Sequence, residues 1–287
     1  MISIFAKPAF LNTASNTPFI SKEVSYKGHG HLQRVSSMIR GDQIADYLGA
    51  KLNPITGFDD DVCIYVKPHI KKGTTVFDFE GKRSYIDIID GWGLLPVLEK
   101  YLEVGVIACS KQDAKILSKF LDNRITFIPQ HHCNYERAIR MRREIKTVGI
   151  IGTEDAFVHL PEGLEQELEK KGIKLLKYSK FFSREDIIEF YKSIDVQIVW
   201  RPYRMRLSNP LKLVNAASFG IPTIAYPETV FEELGQCYLK AETLEEFLYQ
   251  LDTLRNSQIV YRTFSDECLR KAEEYHIDNV AKEYKKL

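Results

Sequence analysis

Between Val196 and Pro227 the chain carries Arg201, Arg204, Arg206 and Lys212 and not one acidic residue. These cations follow a strand-like run, DVQIVW (195–200), and lead into a helical one, NPLKLVNAASFG (209–220). Guanidinium forks, an ammonium and a helix N-terminus favour the same partner, a phosphate or diphosphate, because fixed charge, backbone N–H groups and helix dipole converge on one anion. A solvated basic loop is the competing reading, and the position directly after an inner strand is what favours an anion pocket. FDFEG (77–81) ends another strand-like run. A spacing of two places Asp78 and Glu80 on one side of an extended chain, where a carboxylate can act as base toward an acceptor hydroxyl. Turn formation or helix capping competes with that role. Adjacent side chains in an extended segment point to opposite sides, so His131, His132 and Cys133 do not share one metal ion, and no second cluster at ligand spacing exists. No metal is expected, and His131 is read as a histidine lining a cleft. The acidic run Asp59–Asp61 reads as a solvated turn before a strand, since no glycine-spaced calcium loop follows.

These residues need a scaffold, and the hydrophobic pattern supplies one. Short β-branched runs stand at 2–6, 61–66, 74–79, 104–110 and 125–129. Helical stretches at 32–49 and 110–122 separate them, the second behind a serine N-cap. After residue 146 the alternation is cleaner. KTVGIIG (146–152), IKLLKYS (173–179), DVQIVW (195–200) and PTIAY (222–226) read as strands. Between them LPEGLEQELEKKG (160–172), SREDIIEFYKSI (183–194) and NPLKLVNAASFG (209–220) read as helices, followed by TLEEFLYQLDTLRN (243–256) and a helical tail. Ser183 with Asp186 three residues on is close to a capping box. Strands alternating with helices of this length imply α/β architecture with parallel sheets covered on both faces. Two such units give two facing Rossmann-like domains, and ligands then belong at the carboxyl ends of the strands or in the cleft between the sheets.

The bulk composition sets outer limits. The 287 residues contain 40 Lys+Arg against 39 Asp+Glu, a formal net charge of +1, with 44% hydrophobic residues. A chain so balanced and so apolar is neither mostly disordered nor a polybasic nucleic-acid module. No run reaches the ~20 apolar residues of a membrane span, and MISIFAKPAF reads as a first strand, not a signal peptide. Five scattered cysteines without a CxxC pair imply a reducing, cytoplasmic compartment. NYERAIRMRRE (134–144) holds four arginines. A solvated helix face is the favoured reading, and a basic surface that meets anionic lipid at the inner face of a membrane, or a polyanionic acceptor, is the alternative. Neither GHG (28–30) nor GIIG (149–152) extends to the dinucleotide fingerprint with an acid about 20 positions on.

LSNPLKLVNAASFGIPTIAYPE (207–228) resembles the donor-binding segment of GT-B fold glycosyltransferases, in the large retaining group that uses nucleotide sugars. That family carries a Lys-Leu-x-Glu/Asn-Ala-x-x-x-Gly-x-Pro-x-Ile pattern, which Lys212, Leu213, Asn215, Ala216, Gly220, Pro222 and Ile224 fit. SSMIRGDQIADYLG (36–49), ACSKQDAKIL (108–117), ITFIPQHHCN (125–134) and HIDNVAKEYKKL (276–287) are similar, in order, to other family segments. The resemblance implies a GT-B architecture: an acceptor domain over 1–146, a nucleotide-sugar donor domain over 147–265, and a helix within 266–287 crossing back to the first domain. It implies transfer of a sugar from a nucleotide-sugar donor to a hydroxyl acceptor such as a glycan, with no metal or other cofactor. It assigns Arg201 or Arg206, with Lys212, to the donor diphosphate, Asn215 to the nucleotide ribose and Gly152 to close approach of the donor. Gly28, Gly30 and His31 match the family's glycine-rich loop near phosphates and acceptor. One departure stands out. Where many relatives place a sugar-contacting glutamate, this chain has Leu207, which keeps open a non-catalytic nucleotide-sugar-binding or partner-binding protein, or a sugar-nucleotide epimerase.

Overall fold

A computed structural model describes residues 1–6, 27–28, 31–32, 35–68, 83–140, 144–202 and 207–287. The first half provides β1 (Ile2–Phe5), β2 (Lys27–Gly28), β3 (His31–Leu32), β4 (Lys51–Leu52), β5 (Val62–Val66), β6 (Arg83–Asp87), β7 (Gly105–Ala108) and β8 (Ile125–Phe127). β2 and β3 pair with each other, antiparallel. The other six form one parallel sheet in the order β4-β1-β5-β6-β7-β8. β1, β5 and β7 read as near-continuous apolar runs because both faces are covered; Ile4, Ile64, Val106 and Ile107 are all fully buried. The helices are α1 (Val35–Ser37), α2 (Gln43–Leu48), α3 (Leu95–Leu98) and α4 (Lys111–Leu117). Between α1 and α2 the backbone widens into a π-turn over Met38–Asp42. Gly41 lies in that turn, and a Cβ there would stand 2.2 Å from Ala6 Cβ, so only glycine lets the helix approach β1 this closely. Ser110 caps α4 by accepting the Asp113 N–H at 2.9 Å. The strand expected at 74–79 lies outside the described residues.

The second half provides β9 (Thr147–Ile151), β10 (Lys174–Tyr178), β11 (Val196–Val199), β12 (Thr223–Ala225) and β13 (Leu239–Lys240), parallel throughout in the order β10-β9-β11-β12-β13. Its helices are α5 (Leu164–Lys170), α6 (Arg184–Ser193), α7 (Leu211–Ser218), α8 (Leu244–Asn256), α9 (Gln258–Ala272) and α10 (Ile277–Tyr284). α6 opens with the full capping box of Ser183 and Asp186. α9 runs unbroken through residue 265, where the sequence placed a boundary. α10 returns to the first sheet and packs Ile277, Val280 and Tyr284 among Ile4, Ile44, Ile64 and Tyr85.

Each sheet reverses its strand order once, between β1 and β5 and between β9 and β11. At such a switch point the outgoing loops part in opposite directions and leave a crevice beyond the carboxyl ends of the strands. Two crevices, one per sheet, are therefore built into the topology.

Candidate functional site

The second crevice is flanked by Gly152, immediately after β9, and by Arg201, two residues after β11. α7 adds Lys212 from its first turn. Lys212 Nζ stands 3.1 Å from where a Cβ on Gly152 would lie, and Ala156 Cβ stands 2.8 Å from the same point. Glycine at 152 is therefore what admits the ammonium to the end of β9. Burial, reinforced by the nearby Arg201 charge, pushes the Lys212 pKa down to about 8. A cation that has lost part of its water and faces a second cation is poised to gain from an anion.

Arg201 is not the free cation that the acid-free window implied. Its Nε and Nη2 donate to Glu228 Oε1 and Oε2, both at 2.7 Å, a bidentate fork-to-fork pair. Glu228 is the first residue beyond that window. Ser208 joins the pair: Arg201 Nη2 donates to its Oγ at 3.3 Å, and that Oγ donates to Glu228 Oε2 at 3.4 Å. Arg204 and Arg206 lie outside the described residues, as do Asp78, Glu80 and Gly30. Gly28 and His31 pair through their backbones in the β2–β3 ladder.

Asn215 is buried, and its Oδ1 accepts the Cys133 N–H at 2.9 Å. That bond ties α7 to the loop after β8, so the amide joins the two halves of the chain. Asn134 does the same from the other side, donating to the Ser218 carbonyl at 2.7 Å. Leu207 is 2% exposed and sits in the apolar cluster of the first sheet with Ile86, Val106 and Leu117. Leu207 thus forms an apolar plug between the two sheet units.

His131 does not line the cleft. It is 2% exposed, with Nε2 2.9 Å from the Ile39 carbonyl and Nδ1 3.2 Å from the His132 carbonyl. Burial pushes its pKa down to about 4 and that of His132 to about 3. His131 thus braces the π-turn, whose Ile39 carbonyl it meets. Neighbouring Arg40 is 1% exposed and ion-paired with fully buried Asp87 at the end of β6. The 134–140 segment forms no helix. Its Arg137 binds Glu273 and Asp278 at 2.7 and 2.8 Å, and Glu136 pairs with Arg184 at 2.7 Å, so these charges hold the C-terminal helices and α6. Glu228, Ser208 and the Arg40–Asp87 pair escaped sequence reasoning. Only Glu228 had a signal, its position at the edge of the basic window.

No protein-family model matches the chain, and no curated protein does. Among solved structures it is similar to the GtfA/B complex, at 12% identity and a TM-score of 0.56 over 89% of this chain and 60% of that one. It is similar to a mutant of S. aureus TarM in complex with Fondaparinux, alpha-GlcNAc-glycerol and UDP, at 11% identity and a TM-score of 0.61 over 89% of this chain and 59% of that one. A glycosyltransferase from Rickettsia africae aligns at 9% identity and a TM-score of 0.54, covering 85% of this chain and 77% of that one. The chain thus spans about 60% of the length of the GtfA/B and TarM chains it matches. At such identities the likeness shows the fold: GT-B, two facing α/β units with a C-terminal helix returning to the first.

Proposed function

We propose that the chain binds a nucleotide-sugar donor in the β9/β11 crevice and transfers the sugar to a hydroxyl acceptor such as a glycan. The observation that carries this reading is the meeting of Lys212 Nζ with Gly152 at the second switch point. Negative charge develops on the diphosphate as the glycosidic bond breaks, and a preorganised ammonium stabilises it most when water is excluded. Arg201, swung from Glu228, supplies a second donor, and in this reading no metal is needed. The division of labour in this reading is residues 1–146 for the acceptor, the residues from 147 to the end of α9 for the donor, and α10 returning to the first unit. Fold relatives crystallised with UDP and with UDP-glucose support a uridine nucleotide as the first donor to try. The scattered cysteines without a CxxC pair support a reaction in the reducing cytoplasm. No helix among the described residues is long and apolar enough to cross a membrane.

A second reading is a nucleotide-sugar-binding protein without turnover. Burial of Leu207 and occupation of Arg201 by Glu228 favour it. Calorimetry with UDP-, GDP-, ADP- and CMP-sugars, combined with nucleotide-release assays with and without EDTA, separates the two. Binding with EDTA-resistant release supports transfer, and binding without release supports the second reading. No binding by any of them removes both.

A further inference from the structure

The two sheet units grip one another through a reciprocal pair of carboxylate hydrogen bonds beside the donor loop. From the first unit, Asp113 Oδ1 on α4 accepts the backbone N–H of Ser208 at 3.1 Å. From the second, Glu233 Oε2 accepts the backbone N–H of Lys111, at the start of α4, at 2.8 Å. Glu233 Oε1 also accepts the Tyr275 hydroxyl at 3.1 Å, which anchors it to the segment before α10. Asp113 is 1% exposed, and Leu207, next to the residue it holds, is 2% exposed within the first unit's core. Residues 207 and 208 belong to the second unit by sequence and to the first by packing.

Ser208 is the node of this arrangement. Its N–H is taken by Asp113, while its hydroxyl contacts both Arg201 and Glu228. The same loop leads straight into α7 and Lys212. A separation of the units therefore withdraws Leu207 from its pocket and Ser208 from Asp113, and shifts the residues that hold Arg201. A buried carboxylate that accepts a backbone N–H across such a seam fixes the loop's position; an apolar side chain at 113 leaves the half-buried Ser208 N–H without that acceptor.

We propose that Asp113 is a positioning residue for the donor site: from the first unit it holds the 207–210 loop in the geometry that presents Arg201 and Lys212 to the diphosphate, with Glu233 completing the latch. This rests on the donor-site reading above. The test uses the full chain with the nucleotide sugar that the binding screen selects, and backbone amide exchange as a ligand-independent measure.

Asp113→Ala is expected to speed exchange at Ser208 and to raise the donor KM about tenfold, with kcat falling alongside because the same cations meet the charge that develops on the leaving diphosphate. Asp113→Asn keeps an acceptor oxygen and restores all three. Glu233→Ala, which leaves Asp113 intact, speeds exchange at Lys111 and raises the donor KM in the same direction. Unchanged Ser208 exchange in Asp113→Ala, or a fall in kcat that tracks a general loss of folded protein with no rescue by asparagine, overturns the proposal. If the wild type binds no donor, the function reading fails, and the exchange measurements alone decide whether the latch exists.

Discussion

At the scale of single residues, the site turns on one ammonium and one competing acid. Lys212 has its pKa pushed down to about 8 by burial and the Arg201 charge. A bound diphosphate favours the charged form, so binding takes up a proton wherever the free lysine is partly neutral. Donor affinity is therefore expected to hold below pH 8 and to weaken as pH rises through 8, well below the range of an ordinary lysine near 10.4. Calorimetric titrations with UDP at several pH values measure this. A flat profile from pH 7 to 9 removes Lys212 from the anion site. Lys212→Ala is expected to weaken binding about ten- to a hundredfold, the value of one charge-assisted contact. Glu228→Gln removes the charge that neutralises Arg201 and is expected to tighten diphosphate binding roughly two- to tenfold and steepen its salt dependence. Weaker binding in that variant makes Glu228 a support for the site in place of a competitor. The sequence singles out Lys212, Arg201 and Gly152 because loops after inner strands are where such folds bind ligands. It does not reach the Arg201–Glu228 pair, which joins residues 27 positions apart and forms only because β11 and β12 are neighbours.

At the scale of elements, apolar runs and caps were legible and the exceptions have physical causes. β6 reads poorly because it carries Arg83, Ser84 and Asp87 in five residues, and Asp87 is tolerated inside through its ion pair with Arg40. β13 is two residues long, below what any period can signal. α7 was recognisable from NPLKLVNAASFG, yet the use of its Asn215 was not, since its partner is the Cys133 N–H, 82 residues away. That pairing predicts a stability effect. Asn215→Leu leaves the buried Cys133 N–H without an acceptor and is expected to destabilise the protein by about 1–3 kcal/mol. Asn215→Asp retains the acceptor oxygen but places a charge at an 8%-exposed position, and is expected to cost at least as much. Urea unfolding of both variants tests this. A leucine variant as stable as wild type means the bond contributes nothing net.

At the scale of the whole molecule, the seam between the sheet units concentrates buried titratable groups, and its proton balance sets the acid limit of the fold. His131 and His132 titrate near 4 and 3 in the folded protein, both through burial, against about 6.5 when unfolded. Between those values the unfolded chain binds more protons, so the two histidines make stability fall as pH drops below 6.5. Asp113 opposes them. Burial raises its pKa to about 6, so the folded state binds more protons than the unfolded state from about pH 4 to 6, and this carboxyl favours folding as pH drops through that window. Two histidines outweigh one aspartate. From pH 6.5 to 5 the two histidines cost roughly 3 kcal/mol and Asp113 returns about 1, so the net loss is expected to be roughly 2 kcal/mol, a fall in Tm of about 3 °C for a chain this long. His131→Gln offers the Ile39 carbonyl an amide N–H with no charge to acquire. It is expected to lose most of the net pH slope in Tm while remaining folded at pH 7. A Tm that is level between pH 6.5 and 5 in the wild type, or a slope that the glutamine variant leaves intact, assigns the acid limit to groups other than this seam.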